Sequence, residues 1–144
     1  MKAGAAKAAA IEWVVRYASK KDDFQGAYFS GSVAGMPDEE ELATSSDVDI
    51  MVVTALDEPP PKLGKFFYNG VLLEVTYLSW KQLSSAEQIL TSYHLANSFR
   101  VNTIIFDPTG RLQQLQSQVS QHFAEGIWVR RRCENVMKKI ENGL

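Results

Sequence analysis

The stretch that decides the fold is Phe29-Ser30-Gly31-Ser32 followed, after fourteen residues, by Asp47-Val48-Asp49-Ile50-Met51-Val52-Val53. Acid and apolar residues alternate at the start of the second segment, which then turns wholly apolar, as a strand does when one end faces a cleft and the rest is buried. Asp47 and Asp49 therefore point to one face. Paired carboxylates on one face suit the holding of divalent cations against a phosphate. Gly31 permits close backbone approach, and Ser32 can offer an amide and a hydroxyl to an anion.

Downstream, Pro59-Pro60-Pro61 ends this unit by forbidding regular pairing. Lys65-Phe66-Phe67-Tyr68, Asn69-Gly70 and Val71 to Leu78 read as a hairpin, because Asn-Gly suits the positive backbone angles of a type I′ turn. In the second arm Leu72, Glu74 and Thr76 share one face, while Leu73, Val75 and Tyr77 share the other. Glu74 is thus an acid inside an apolar strand, where a cation would offset the cost of its burial.

Upstream, Lys2 to about Lys20 is alanine-rich, with Ile11, Val14, Val15 and Ala18 at helical spacing. Asp22-Asp23 and Gly26 break that helix, and Ala27-Tyr28-Phe29 makes a short buried strand. Residues 36 to 46 read as an exposed connection whose acidic run, Asp38-Glu39-Glu40-Glu41, is a solvated face. Ser79 or Ser85 is expected to cap one helix reaching about Asn97, since Gln82 and Gln88 each sit three residues on. Val101 to Phe106 reads as a strand closed by Asp107-Pro108-Thr109-Gly110. Leu112, Leu115, Val119 and Phe123 mark one face of the next helix. Beyond Gly126, Val129, Cys133, Val136 or Met137, and Ile140 mark the last one. The pattern predicts a mixed α/β (α+β) fold with a central hairpin in a mixed β-sheet and helices packed on it. It is divided into a core over 1–125 and a C-terminal helix over 126–144.

The 144 residues suit a single core, and a 45% apolar, 22% charged composition is that of an ordinary folded domain. The formal charge of -2 gives no global reason to bind nucleic acid or anionic lipid. The apolar runs fall far short of the ~20 residues of a membrane span, so the chain reads as cytoplasmic with no membrane partner. The single Cys133 has no partner for a disulfide and reads as a half-buried helix residue. His94 and the three tryptophans read as packing residues, and Arg130-Arg131-Arg132 as the solvated side of the last helix.

Residues 26 to 78 resemble the catalytic core of the polymerase-beta-like nucleotidyltransferase superfamily. That superfamily contains aminoglycoside, streptomycin and lincosamide nucleotidyltransferases and MNT-type antitoxin domains. Its pattern, hydrophobic-Gly-Gly/Ser, a connection, then Asp-hydrophobic-Asp/Glu-hydrophobic, is met by Phe29-Ser30-Gly31-Ser32 and Asp47-Val48-Asp49-Ile50. Tyr93-His94-Leu95-Ala96 and Phe106 to Gly110 extend the likeness toward drug-modifying enzymes. The resemblance implies Asp47, Asp49 and Glu74 as catalytic metal ligands, with Mg2+ or Mn2+ as cofactor. It implies Gly31, Ser32 and Ser46 as contacts for a nucleoside triphosphate, ATP in the first instance. It further implies transfer of AMP to a hydroxyl of a small molecule such as an antibiotic, with release of pyrophosphate. Val33-Ala34-Gly35-Met36 carries no base, so triphosphate charge falls to metal and backbone, or to a distant base such as Lys62 or Lys65. The last helix would begin a helical acceptor domain or form a homodimer contact. The alternative expectation is a non-catalytic, antitoxin-like interaction module of the same fold.

Overall fold

In the computed structural model, which describes residues 1–141, the first helix α1 spans Ala3–Arg16. Its buried face is Ala3, Ala6, Ala9, Ala10 and Val14, whereas Ile11 and Val15 are exposed. Alanine side chains let the helix lie close to the sheet, and that approach selects the alanine face over the bulkier aliphatic one. No side chain caps α1. Its first amides donate instead to the acidic connection, Ala3 to the Glu40 carbonyl and Gly4 to the Asp38 carbonyl, both at 2.8 Å. The acidic side chains Asp38 to Glu41 are exposed as expected, but their backbone serves as the helix cap.

Five strands follow: β1 (Phe24–Ser30), β2 (Val48–Thr54), β3 (Phe66–Tyr68), β4 (Val71–Ser79) and β5 (Ile104–Phe106). They form one mixed sheet in the order β3-β4-β2-β1-β5, with β2 and β4 parallel and the other neighbours antiparallel. The Asn69-Gly70 turn is present, with positive φ of 50° and 77°. The hairpin is not central. Because β1 takes one edge of β2 and β4 takes the other in parallel, β3 is left at the sheet edge.

The alternation of each strand separates two core layers. Val48, Ile50 and Val52 pack with Leu73, Val75 and the alanines of α1. Tyr28, Val53 and Leu78 pack on the other side with Leu90, Phe99, Leu112 and Val119. Each fully buried aliphatic side chain contributes about 1.5–3 kcal/mol.

The helix expected from Ser79 or Ser85 to Asn97 is three pieces: a 3-10 turn over Trp80–Leu83, α2 (Ala86–Leu90) and α3 (Tyr93–Phe99). Serines cause the breaks by capping each piece. Ser79 forms a capping box with Gln82, Ser85 Oγ accepts from Gln88 N–H at 3.1 Å, and Ser92 Oγ accepts from Leu95 N–H at 3.4 Å. The carboxylate of Asp107 accepts from the amides of Leu112 and Gln113 to start α4 (Arg111–His122), whose buried face holds Leu112, Leu115 and Val119 as expected.

The last helix, α5 (Gly126–Glu141), departs most from its sequence pattern. Its apolar residues Val129, Val136, Met137 and Ile140 are exposed, and so is Cys133. Its buried residue is Arg132. The guanidinium donates to the carbonyls of Leu90 and Phe123 and lies 4.2 Å over the Phe123 ring, so an arginine pins α5 to the body. Burial lowers its pKa. Residues 142–144 of the segment expected over 126–144 lie outside the described residues. Among the described residues, no helix is long and apolar enough to cross a membrane.

Candidate functional site

Strand register brings the three acids together. In the parallel β2–β4 pair Asp49 lies opposite Glu74, and Asp47 is two residues before Asp49, so all three carboxylates share a face. One oxygen from each lies within 4.8 Å of the others, a cluster of a size that could hold a metal ion. All three residues are half-buried. Crowding of like charge in a partly desolvated place is unfavourable unless cations offset it.

Two lysines from the loop after β2 meet part of that charge. Lys65 Nζ lies 3.2 Å from the Asp47 carboxylate, and Lys62 Nζ pairs with Glu74. Sequence offers these lysines as triphosphate bases; the structure sets them against the acids instead. At Asp47 burial opposes the charge, but the Lys65 ammonium beside it holds the pKa below its usual value. Asp49 has no ion-pair partner among the described residues. Burial, then the negative charges of Asp47 and Glu74, push its pKa up to about 6. Three oxygen donors with one acid left uncompensated fit a hard divalent cation.

The sign of that shift would make cation binding at these acids pH-dependent. Above about pH 6 Asp49 would be an available ligand, and below it a proton would compete for the same oxygen. Affinity for Mn2+ is therefore expected to be flat from pH 7 upward and to fall by up to about tenfold per unit below pH 6. Titrations between pH 5 and pH 8 check this, and an affinity unchanged down to pH 5 would contradict it.

Gly31 closes the site from β1. Its φ of 67° and ψ of −161° lie where L-residues are strained, and a Cβ there would collide with Asp49 Oδ2. Ser32, exposed, opens a short 3-10 turn over Ser32–Gly35. Ser46, half-buried, stands directly before Asp47 with its amide bonded to the Ala43 carbonyl at 2.9 Å. A residue that sequence reasoning passed over completes the neighbourhood. Arg100, at the end of α3, reaches the Ser32–Gly35 turn, and a Cβ at Gly35 would lie 3.8 Å from its Nη2. No local pattern announces this, because the contact is made across the fold.

No protein-family model matches the chain, and no curated protein matches it. Among solved structures it is similar to the crystal structure of a nucleotidyltransferase-like protein from Exiguobacterium sibiricum, with a TM-score of 0.57 and 19% sequence identity. The likeness covers 83% of this chain. The chain has a nucleotidyltransferase-like fold. It spans 39% of the length of that nucleotidyltransferase-like protein, and at this identity the likeness concerns the fold alone.

Proposed function

We propose that the chain is a metal-dependent nucleotidyltransferase that moves a nucleoside monophosphate, AMP from ATP, onto a hydroxyl of a small molecule such as an antibiotic. The observation that carries this reading is the convergence of Asp47, Asp49 and Glu74 from two parallel strands, on a nucleotidyltransferase-like fold, with Gly31 against Asp49. Asp47, Asp49 and Glu74 would hold Mg2+, or Mn2+ in its place. Bound there, a metal would supply positive charge to the reacting phosphate.

In the transfer, the acceptor's hydroxyl oxygen forms a bond to the α-phosphorus, and the bond from that phosphorus to the bridging oxygen breaks. Pyrophosphate leaves with the electron pair. The hydroxyl proton passes to a carboxylate, the role assigned to Glu74, which lies beside the other two acids on the same face. Gly31 lets the phosphate chain approach the backbone beside Asp49, with Ser32 and Ser46 as polar contacts. Mass spectrometry of drug and sugar hydroxyl acceptors incubated with Mn2+ and each nucleoside triphosphate tests the reading. The expected result is an adduct carrying one nucleoside monophosphate, with an equal amount of pyrophosphate.

The exposed stripe on α5 supports a second reading, in which the same fold works as an interaction module and this helix is a contact surface, as in a homodimer. Val129, Val136, Met137 and Ile140 are 41%, 39%, 59% and 64% exposed, an apolar set rarely left bare on a helix. Sedimentation is then expected to show a dimer that Met137→Glu dissociates. A monomer at every concentration would remove the homodimer contact.

A further inference from the structure

Beside the acids lies a cavity of about 360 Å³ that the carboxylates do not explain. It is lined by Gly31, Ser32, Gly35, Glu40, Asn97 and Arg100, among others. Gly31 is common to both places: it touches Asp49 on one side and opens into the cavity on the other. The turn from Gly31 to Gly35 therefore runs from the three carboxylates to the guanidinium of Arg100, its 3-10 part from Ser32 to Gly35 rising about 6 Å.

Arg100 is held there by the packing of α3 on β1. Ser98 Oγ donates to Ser30 Oγ at 3.1 Å, Thr103 Oγ1 donates to the Ser98 carbonyl at 2.8 Å, and Phe99 stacks against Tyr28 with ring centroids 4.8 Å apart. Ser98 and Phe99, the two residues before Arg100, are buried, so the helix end is fixed while the guanidinium is exposed. Among the described residues Arg100 makes no salt bridge. An arginine on a rigid helix end, without a carboxylate partner and facing an open polar cavity, has its fork of donors free for a planar or tetrahedral oxyanion.

We infer that Arg100 binds the leaving phosphates of the nucleoside triphosphate in this cavity, while Asp47, Asp49 and Glu74 hold the metal at the reacting phosphate. The inference rests on the function proposed above and supplies the base that Val33 to Met36 lack. Arg100 meets charge on the pyrophosphate portion, and Asn97 offers an amide to the same oxygens. Glu40, the acidic residue among those lining the cavity, would oppose the phosphate charge and limit affinity.

Calorimetric titration with Mn2+ and three probes tests this: a nonhydrolysable ATP analogue, AMP and inorganic tripolyphosphate. For Arg100→Ala the ATP analogue and tripolyphosphate are each expected to bind about tenfold or more weaker, with AMP unchanged and Arg100→Lys intermediate. Glu40→Gln is expected to tighten both polyphosphates. Because Arg100 is exposed, circular dichroism and Tm should match those of the unaltered chain. Equal binding of the ATP analogue by the unaltered chain and Arg100→Ala would overturn the inference and leave the proposed function standing. Failure of the unaltered chain to bind any triphosphate with metal present would overturn both.

Discussion

Under the proposed function, Asp49→Asn is expected to reduce pyrophosphate release by about a thousandfold or more, because it would remove a charge that the transition state needs and not merely a contact with substrate. The same change is expected to make the chelator-treated protein more stable. The folded pKa of Asp49 is raised from 3.8 to about 6, so the folded chain holds this proton more tightly than the unfolded one. That contribution to stability is fully present below the unfolded value and is lost as pH rises through about 6. At neutral pH the ionised Asp49 therefore works against folding. For a carboxylate that remains about half open to solvent, screening discounts the effect to about 1 kcal/mol, or roughly 4 °C in Tm. Thermal unfolding in chelator at pH 4 and pH 7 checks it. The gain of Asp49→Asn should appear at pH 7 and shrink toward pH 4. A residue placed only for structure would lose stability when replaced, at either pH.

Gly31→Ala carries the second large effect. Backbone strain at this φ and ψ costs about 1–3 kcal/mol for any residue with a Cβ, and the new methyl also displaces the Asp49 carboxylate. Tm is expected to fall by roughly 10 °C, with Mn2+ affinity reduced in parallel. Gly110→Ala separates the two causes. Gly110 has a positive φ of 76° but nothing within 4 Å of a Cβ, so its alanine variant bears strain without a collision. It should lose about 1 kcal/mol and keep its metal affinity. Equal metal binding by Gly31→Ala and Gly110→Ala would remove Gly31 from the site.

The acids were legible in the sequence because strand alternation is a short-range rule. Asp47, Asp49 and Glu74 declare their faces by parity alone, and the Asn69-Gly70 turn announces the strand that delivers Glu74. What parity cannot give is the partner of each face. Nothing in Val101 to Phe106 or the preceding helix says that α3 packs on β1 and brings Arg100 to Gly35. That follows from long-range contacts such as Ser98 with Ser30 and Phe99 with Tyr28. The same limit explains the errors. Helical spacing weighs Ile11 and Val15 above the alanines beside them, but closeness of packing chooses the alanine face of α1. Arg132 reads as solvated by charge, yet its planar guanidinium satisfies two carbonyls left by neighbouring helices and is buried. Lys62 and Lys65 read as free bases because sequence does not show that the proline-bearing loop folds back over the acids.

The proposed function requires that the three carboxylates form a cation site for a nucleoside triphosphate. Electron paramagnetic resonance of Mn2+ titrated into the protein with a nonhydrolysable ATP analogue reads this out without knowledge of the acceptor. Beyond the Mn2+ that the nucleotide analogue takes up alone, a saturable protein-dependent population of bound Mn2+ is expected, lost in Asp49→Asn and weakened at pH 5. Mn2+ binding that is the same for the unaltered chain and Asp49→Asn, or absent from both, would contradict it.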